Sequence, residues 1–184
     1  MTPVTLHDKT FDSYLSEQTI KERVRELAAQ ISKDYAGKTG KQSVLFIGIL
    51  NGAFMFASDL FKELSIDAEI SFIKLASYSG TKSTGKVVTA IGLDQDLVGR
   101  DIIIIEDIVD TGKTLHDFLP RLQDHNPASL RIATLLHKPE ATQYDLTLDY
   151  VGFAIPNKFV VGYGLDYDGL GRNLREIYQL SGNE

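Results

Sequence analysis

The chain has 184 residues, a formal net charge of −6, 43% hydrophobic and 24% charged residues, and no cysteine. That length suffices for one domain with a sizeable core, and the missing cysteines exclude disulfides and thiolate chemistry, which fits a cytoplasmic location. The acidic balance lacks the basic footprint of a general nucleic-acid binder, and no stretch approaches the ~18 apolar residues of a membrane span.

The opening segment, MTPVTLHDKTFDSYLSEQ, is polar and has no apolar run of signal-peptide type. Residues 17–33 carry Ile20, Val24, Leu27 and Ile31 at helical spacing, which predicts an amphipathic helix punctuated by Gly37 and Gly40. Residues 44–49 (VLFIGI) are continuously apolar, the pattern of a strand buried on both faces. The turn Leu50-Asn51-Gly52 leads into a helix with Ala53, Phe56, Ala57, Leu60, Phe61 and Leu64 on one face. Residues 70–75 predict a strand, 77–86 (SYSGTKSTGK) a mobile loop, and 87–91 a returning strand.

Ile102–Ile105 predicts another buried strand, running into EDIVDTG and a helix with Leu115, Phe118, Leu119 and Leu122. Pro120 lacks the N–H owed to residue 116 and is expected to interrupt and kink that helix. Residues 132–136 and 159–161 predict the last strands. Strand–helix alternation predicts an α/β fold with a parallel, doubly wound sheet and helices on both faces. Ligands in such sheets sit at the carboxyl ends of the strands.

The segment Glu106-Asp107-Ile-Val-Asp110-Thr111-Gly112-Lys113-Thr114 joins a buried strand to a helix start. Thr111, Gly112, Lys113 and Thr114 can turn N–H groups and hydroxyls toward one anion, helped by the helix dipole. Gly-Lys-Thr suggests a P-loop, but that motif needs glycine five residues before Gly112, and position 107 is Asp. Three carboxylates would repel a triphosphate, whereas they suit sugar hydroxyls with one phosphate beyond them. The segment therefore reads as a sugar-phosphate cradle. Its acids could equally form a solvated turn, and Asp110 is as good an N-cap as a base on residue type alone.

IIIIEDIVDTGKTL resembles the phosphoribosyl pyrophosphate signature of the type I phosphoribosyltransferases. The likeness extends to the hypoxanthine-guanine branch through Leu50-Asn51-Gly52-Ala53, Ser77-Tyr78, Lys138, Val151-Gly152-Phe153, the run from Ile155 to Tyr167, and Arg172, in one register from about residue 44 to 178. The resemblance implies a single domain, with a core over about 20–137 and a purine-binding hood from about 1–19 and 138–184. It implies a magnesium-dependent enzyme of purine salvage that joins a 6-oxopurine to phosphoribosyl pyrophosphate, assembled as a homodimer or homotetramer.

In that reading Glu106 and Asp107 accept hydrogen bonds from the ribose hydroxyls, and residues 111–114 hold the 5′-phosphate. Asp110 takes the proton near purine N7. Asn51, Gly52 and Arg172 meet pyrophosphate, with a cis peptide implied at Leu50–Asn51. Asn51 lacks the positive charge many relatives carry there. Ser77 and Tyr78 open the lid. Lys138 donates to purine O6, Phe159 stacks on the base, and the backbone of Val160 and Asp166 reads its edge. Asp166, Glu106 and Asp107 are the expected magnesium-side carboxylates. On periodicity alone Phe159 fits a core strand as well, and Lys138, Asp166 and Arg172 fit solvated surface charges. A transferase for xanthine, adenine or uracil, and an RNA-binding sensor on the same fold, are the competing readings.

Overall fold

The computed structural model describes residues 2–78, 87–91 and 95–182. Its main sheet has six strands: β3 (Val44–Leu50), β4 (Ala68–Tyr78), β5 (Val87–Ile91), β6 (Asp101–Val109), β7 (Ser129–His137) and β8 (Tyr150–Ala154). Their order is β5-β4-β3-β6-β7-β8, parallel except for β5. A second, antiparallel sheet of order β1-β2-β10-β9 joins the two ends of the chain. It is built from β1 (Val4–Leu6), β2 (Lys9–Leu15), β9 (Val160–Val161) and β10 (Ile177–Leu180).

Helix α1 (Glu17–Asp34) is capped by Ser16, whose hydroxyl accepts the Thr19 N–H at 3.1 Å. Its stripe of Ile20, Val24, Leu27 and Ile31 packs with α2 (Phe54–Glu63) over Val44, Phe46, Ile103 and Ile105. Helix α3 (Lys113–Gln123) covers the opposite face, where Leu115, Phe118 and Leu122 meet Leu45, Ile47, Ile102 and Ile104. The alternating sides of β3 and β6 thus feed two cores, the arrangement of a doubly wound sheet. The α1/α2 core continues under the second sheet through Ile155, Val160, Tyr163, Leu165 and Ile177.

Several boundaries differ from expectation. Strand β6 does not stop at Ile105, because its ladder with β7 runs on through Glu106, Ile108 and Val109. Glu106 and Asp107 are therefore strand residues. Strand β4 likewise reaches Ser77 and Tyr78, which pair with Val88 and Val87. The predicted loop at 77–86 is thus strand in its first two residues, and 79–86 lie outside the described residues. Pro120 does not end α3, which runs on to Gln123, where the Asp124 N–H reaches the Pro120 carbonyl at 3.0 Å. Strands β1, β2, β8 and β10 had no counterpart in the pattern reading.

Candidate active site

Parallel strands β3 and β6 are neighbours whose next strands, β4 and β7, lie on opposite sides, so the sheet switches direction between them. Ligands of open α/β sheets bind at such a point, beyond the strand ends. Two turns meet there. One follows β3, contains Asn51 and Gly52, and holds the Leu50–Asn51 bond in cis. The other follows β6 and leads into α3 through Gly112, at φ 82.

Around the second turn, Glu106 and residues 108–115 line a cavity of about 80 Å³. The Thr111 hydroxyl accepts the Lys113 N–H at 3.3 Å, so Asp110 is not the helix cap. Its carboxylate instead accepts the Lys138 ammonium at 2.7 Å. Lys138 is only 6% exposed, and its own N–H donates to the Val109 carbonyl at 2.9 Å. Thr142 donates its hydroxyl to the Asp110 carbonyl at 3.0 Å, and the Gln143 N–H reaches the Thr111 carbonyl at 3.0 Å. The segment after β7 therefore buttresses the cradle from below.

Lys113 offers the cradle its backbone N–H alone. Its ammonium pairs with Asp117, one turn on, at 2.8 Å and lies 5.6 Å from the centre of the Tyr144 ring. An i,i+4 ion pair on the helix surface takes the charge away from the cradle.

Glu106 and Asp107 do not share a side of β6. Glu106 lines the cavity beside α3, is 8% exposed, and leaves its Oε2 buried without a hydrogen-bond partner among the described residues. Burial pushes its pKa well above the carboxylate range, and the neighbouring Asp107 adds to the rise. Asp107 faces the β3 turn: a Cβ added to Gly52 would fall 1.5 Å from its Oδ2, so only glycine fits there. Burial raises Asp107 to about 6, against its hydrogen bond from the Ile108 N–H and the pull of the nearby Arg172.

Across from Asp107, Arg172 donates to the Gly164 carbonyl at 2.7 Å and pairs with Asp166 at 2.5 Å. Asp166 also accepts the Gly169 N–H at 2.8 Å. Gly164, at φ 103, lies against the Gly52 carbonyl, where an added Cβ would come within 2.1 Å. Gly52, Asp107, Gly164, Asp166 and Arg172 are thus one neighbourhood, although 120 residues separate its ends in sequence. Among the described residues no group of three or more His, Asp or Glu is placed to hold a metal together, so Glu106, Asp107 and Asp166 do not form a ready-made cage.

Phe159 precedes β9 and is 43% exposed, which makes it a surface ring rather than a core residue. Its centroid lies 6.2 Å from Phe11 and 5.9 Å from Tyr167. Tyr167 donates to Asp8 at 2.8 Å, and His7 meets the Asp168 carbonyl at 3.2 Å, so the β1–β2 hairpin grips the turn after Asp166. Val160 is buried within β9, opposite Gln179. Ser77 and Tyr78 end β4, beyond which the lid falls outside the described residues. A cavity of about 540 Å³ beside α3 is lined by His116, Leu119, Leu130, Asp145 and Asp149 and holds none of the cradle acids.

The family model described as phosphoribosyl transferase domain matches residues 10–168. The chain belongs to the phosphoribosyl transferase domain family. It is 44% identical over 169 residues to a hypoxanthine-guanine phosphoribosyltransferase of Lactococcus lactis, covering 91% of this chain and 90% of that one. A hypoxanthine-guanine phosphoribosyltransferase of Staphylococcus aureus is 43% identical over 173 residues, covering 94% of each. Among solved structures, a hypoxanthine-guanine phosphoribosyltransferase of Bacillus anthracis superposes with a TM-score of 0.81 at 39% identity, covering 92% of this chain and 96% of that one. A Trypanosoma cruzi hypoxanthine phosphoribosyltransferase in complex with its ternary substrates gives 0.84 at 37% identity, covering 91% and 94%.

Within this phosphoribosyl transferase fold, Asp59, Thr142 and Tyr163 escaped the sequence reading. Thr142 and Asp59 carry no local signal. Tyr163 does: a bulky residue sits between Gly162 and Gly164, where a tight turn would favour a small one.

Proposed function

We propose that the chain transfers the 5-phosphoribosyl group of phosphoribosyl pyrophosphate to hypoxanthine or guanine, giving IMP or GMP and pyrophosphate in purine salvage. The observation that carries the site assignment is the buried Lys138 ammonium bonded to Asp110 at the mouth of the cradle before α3. The pair places a fixed donor and an acceptor side by side. Such a pair fits a 6-oxopurine, which offers O6 and N7 on one edge.

In this reading the turn at 111–114 holds the 5′-phosphate with backbone N–H groups and threonine hydroxyls. Glu106, on the cradle side, and Asp107, on the Gly52 side, face the ribose hydroxyls. Asn51, Gly52 and Arg172 hold pyrophosphate, Phe159 stacks on the base, and the backbone of Val160 and Asp166 reads its edge. Ser77 and Tyr78 lead into a lid that excludes water. Asp110 accepts the N7 proton while Lys138 holds O6, so bond making proceeds in a fixed geometry.

Magnesium fits the chemistry of the donors present: Asp107 and Asp166 offer hard carboxylate oxygens on the Gly52 side, and Glu106 Oε2, on the cradle side, is a buried oxygen with no partner among the described residues. When bound, the ion supplies Lewis-acid stabilisation of the leaving pyrophosphate. The core over about 20–137 then serves the sugar phosphate, and the hood of about 1–19 and 138–184 serves the purine. We place the enzyme in the cytoplasm as a homodimer or homotetramer, for which exposed Phe54 and Phe72 offer apolar contact surface.

Turnover with hypoxanthine, guanine, xanthine and adenine, each with phosphoribosyl pyrophosphate and magnesium, tests the reading. Adenine presents an amino group to the Lys138 donor. We expect its kcat/KM to fall at least about 100-fold below that of hypoxanthine, since a site built to hydrogen-bond one edge rejects its analogue strongly. Equal use of adenine and hypoxanthine would remove Lys138 and Asp110 from base selection.

A further inference from the structure

We propose that the hydrogen bond from the Tyr163 hydroxyl to the Asp59 carboxylate is a latch that sets the gap between the β3 turn and the turn at 162–166, making both residues positioning residues for the pyrophosphate end of the reaction. The inference rests on the function proposed above.

Tyr163 has φ 48, between Gly162 at φ 98 and Gly164 at φ 103. The turn is closed by the Gly162 and Leu165 N–H groups, each donating to the other's carbonyl at 3.0 Å. A tyrosine in the left-handed region is rare, and such an outlier points to a requirement for its side chain. That side chain is buried, 3% exposed, and its hydroxyl donates to Asp59 Oδ2 at 2.7 Å.

Asp59 stands on α2, the helix that the Asn51-Gly52 turn opens. Its other oxygen pairs with the exposed Lys62 at 2.6 Å, so Oδ2 is left to the tyrosine. One residue beyond Tyr163, Gly164 closes on the Gly52 carbonyl, and the Gly164 carbonyl takes the Arg172 guanidinium. A short chain of contacts therefore runs from Asp59 through Tyr163 and Gly164 to Arg172. Asn51 is uncharged, so the pyrophosphate end depends on how Arg172 and the Gly52 backbone are spaced. The latch fixes that spacing without touching the base.

The test compares wild type with Tyr163→Phe, Asp59→Ala, Asp59→Asn and the double variant Tyr163→Phe/Asp59→Ala, in the full chain with magnesium. Forward kinetics use phosphoribosyl pyrophosphate and hypoxanthine; reverse kinetics use IMP and pyrophosphate. Tyr163→Phe and Asp59→Ala should each raise KM for pyrophosphate and for phosphoribosyl pyrophosphate about tenfold, with KM for hypoxanthine within twofold. Asp59→Asn should stay near wild type, because its amide oxygen still accepts the hydroxyl proton although the Lys62 ion pair is gone. The double variant should be no worse than the weaker single one. Unchanged pyrophosphate KM in Tyr163→Phe, an equal rise for hypoxanthine, or Asp59→Asn as weak as Asp59→Ala would each overturn the latch. Asp59 is part-exposed on a helix, so its variants report even if Tyr163→Phe folds poorly. A wild-type chain with no turnover would overturn the function reading and the latch together, whereas active wild type with indifferent variants overturns the latch alone.

Discussion

The cradle of Glu106 and residues 108–114 comes from one stretch of chain, whereas the seam beside it is assembled from Asp107 and residues 51–52 and 159–172. The cradle's geometry follows from a strand end and a helix start adjacent in sequence, with the segment after β7 as its distant support. The seam exists only once β3, β6 and the hood have packed. The comparison teaches where damage should spread: a change in the cradle alters chemistry at nearly constant stability, while a change at the seam alters both.

The largest expected effect tests the local side. Asp110→Asn keeps an acceptor for Lys138 and leaves the start of α3 as it was, since Thr111, not Asp110, holds the Lys113 N–H. It removes the proton acceptor. We expect kcat to fall about 100- to 10,000-fold, the range for a lost general base, with phosphoribosyl pyrophosphate KM within a few-fold and little change in Tm. Steady-state kinetics and thermal unfolding on one preparation would check this. A matched loss of affinity would make Asp110 a binding group, and the local half of the comparison would fail.

The next effect lies at the seam. Burial raises Asp107 from 3.8 to about 6. Between those values the folded chain holds more proton than the unfolded chain, so stability falls as pH rises. The contribution is complete below pH 3.8 and lost above about 6. Its upper size is about 3 kcal/mol, from roughly two units at about 1.4 kcal/mol each. Asp8, Glu17 and Asp101 are lowered and pull the other way, so the useful quantity is a difference. In the ligand-free protein, the Tm of wild type minus that of Asp107→Asn should drop by about 5–10 °C between pH 4 and 7. A flat or rising difference would show that the Asp107 carboxylate is solvated and the seam open.

Much of the fold was legible because its signals are short-range. The helical stripe of α1, the apolar run of β3 and the four isoleucines of β6 each state their burial within a few residues. The hood strands do not: VTL in β1 and IYQL in β10 are too short for a pattern, and their sheet pairs residue 178 with residue 13. Lys138 looked like a surface lysine without the family resemblance, since its burial comes from the segment that folds back after β7. The motif named N–H groups and hydroxyls at 111–114 and was silent on the Lys113 ammonium, which Asp117 four residues on takes up. Glu106 and Asp107 looked like a matched pair until the strand's alternation set them on different sides.

The smallest effect separates packing from binding on the non-local face. Phe159 is exposed, with Phe11 and Tyr167 at its edges. Phe159→Leu removes an aromatic face but little buried area, and an aromatic contact contributes about 0.5–1.5 kcal/mol beyond its area. We expect KM for hypoxanthine to rise about 2- to 12-fold, with KM for phosphoribosyl pyrophosphate unchanged and Tm lowered by no more than about 2 °C. Base titrations and thermal unfolding read both quantities. A clear loss of Tm with unchanged base KM would make the ring a prop for Tyr167, and the hood would then touch the base through its backbone alone.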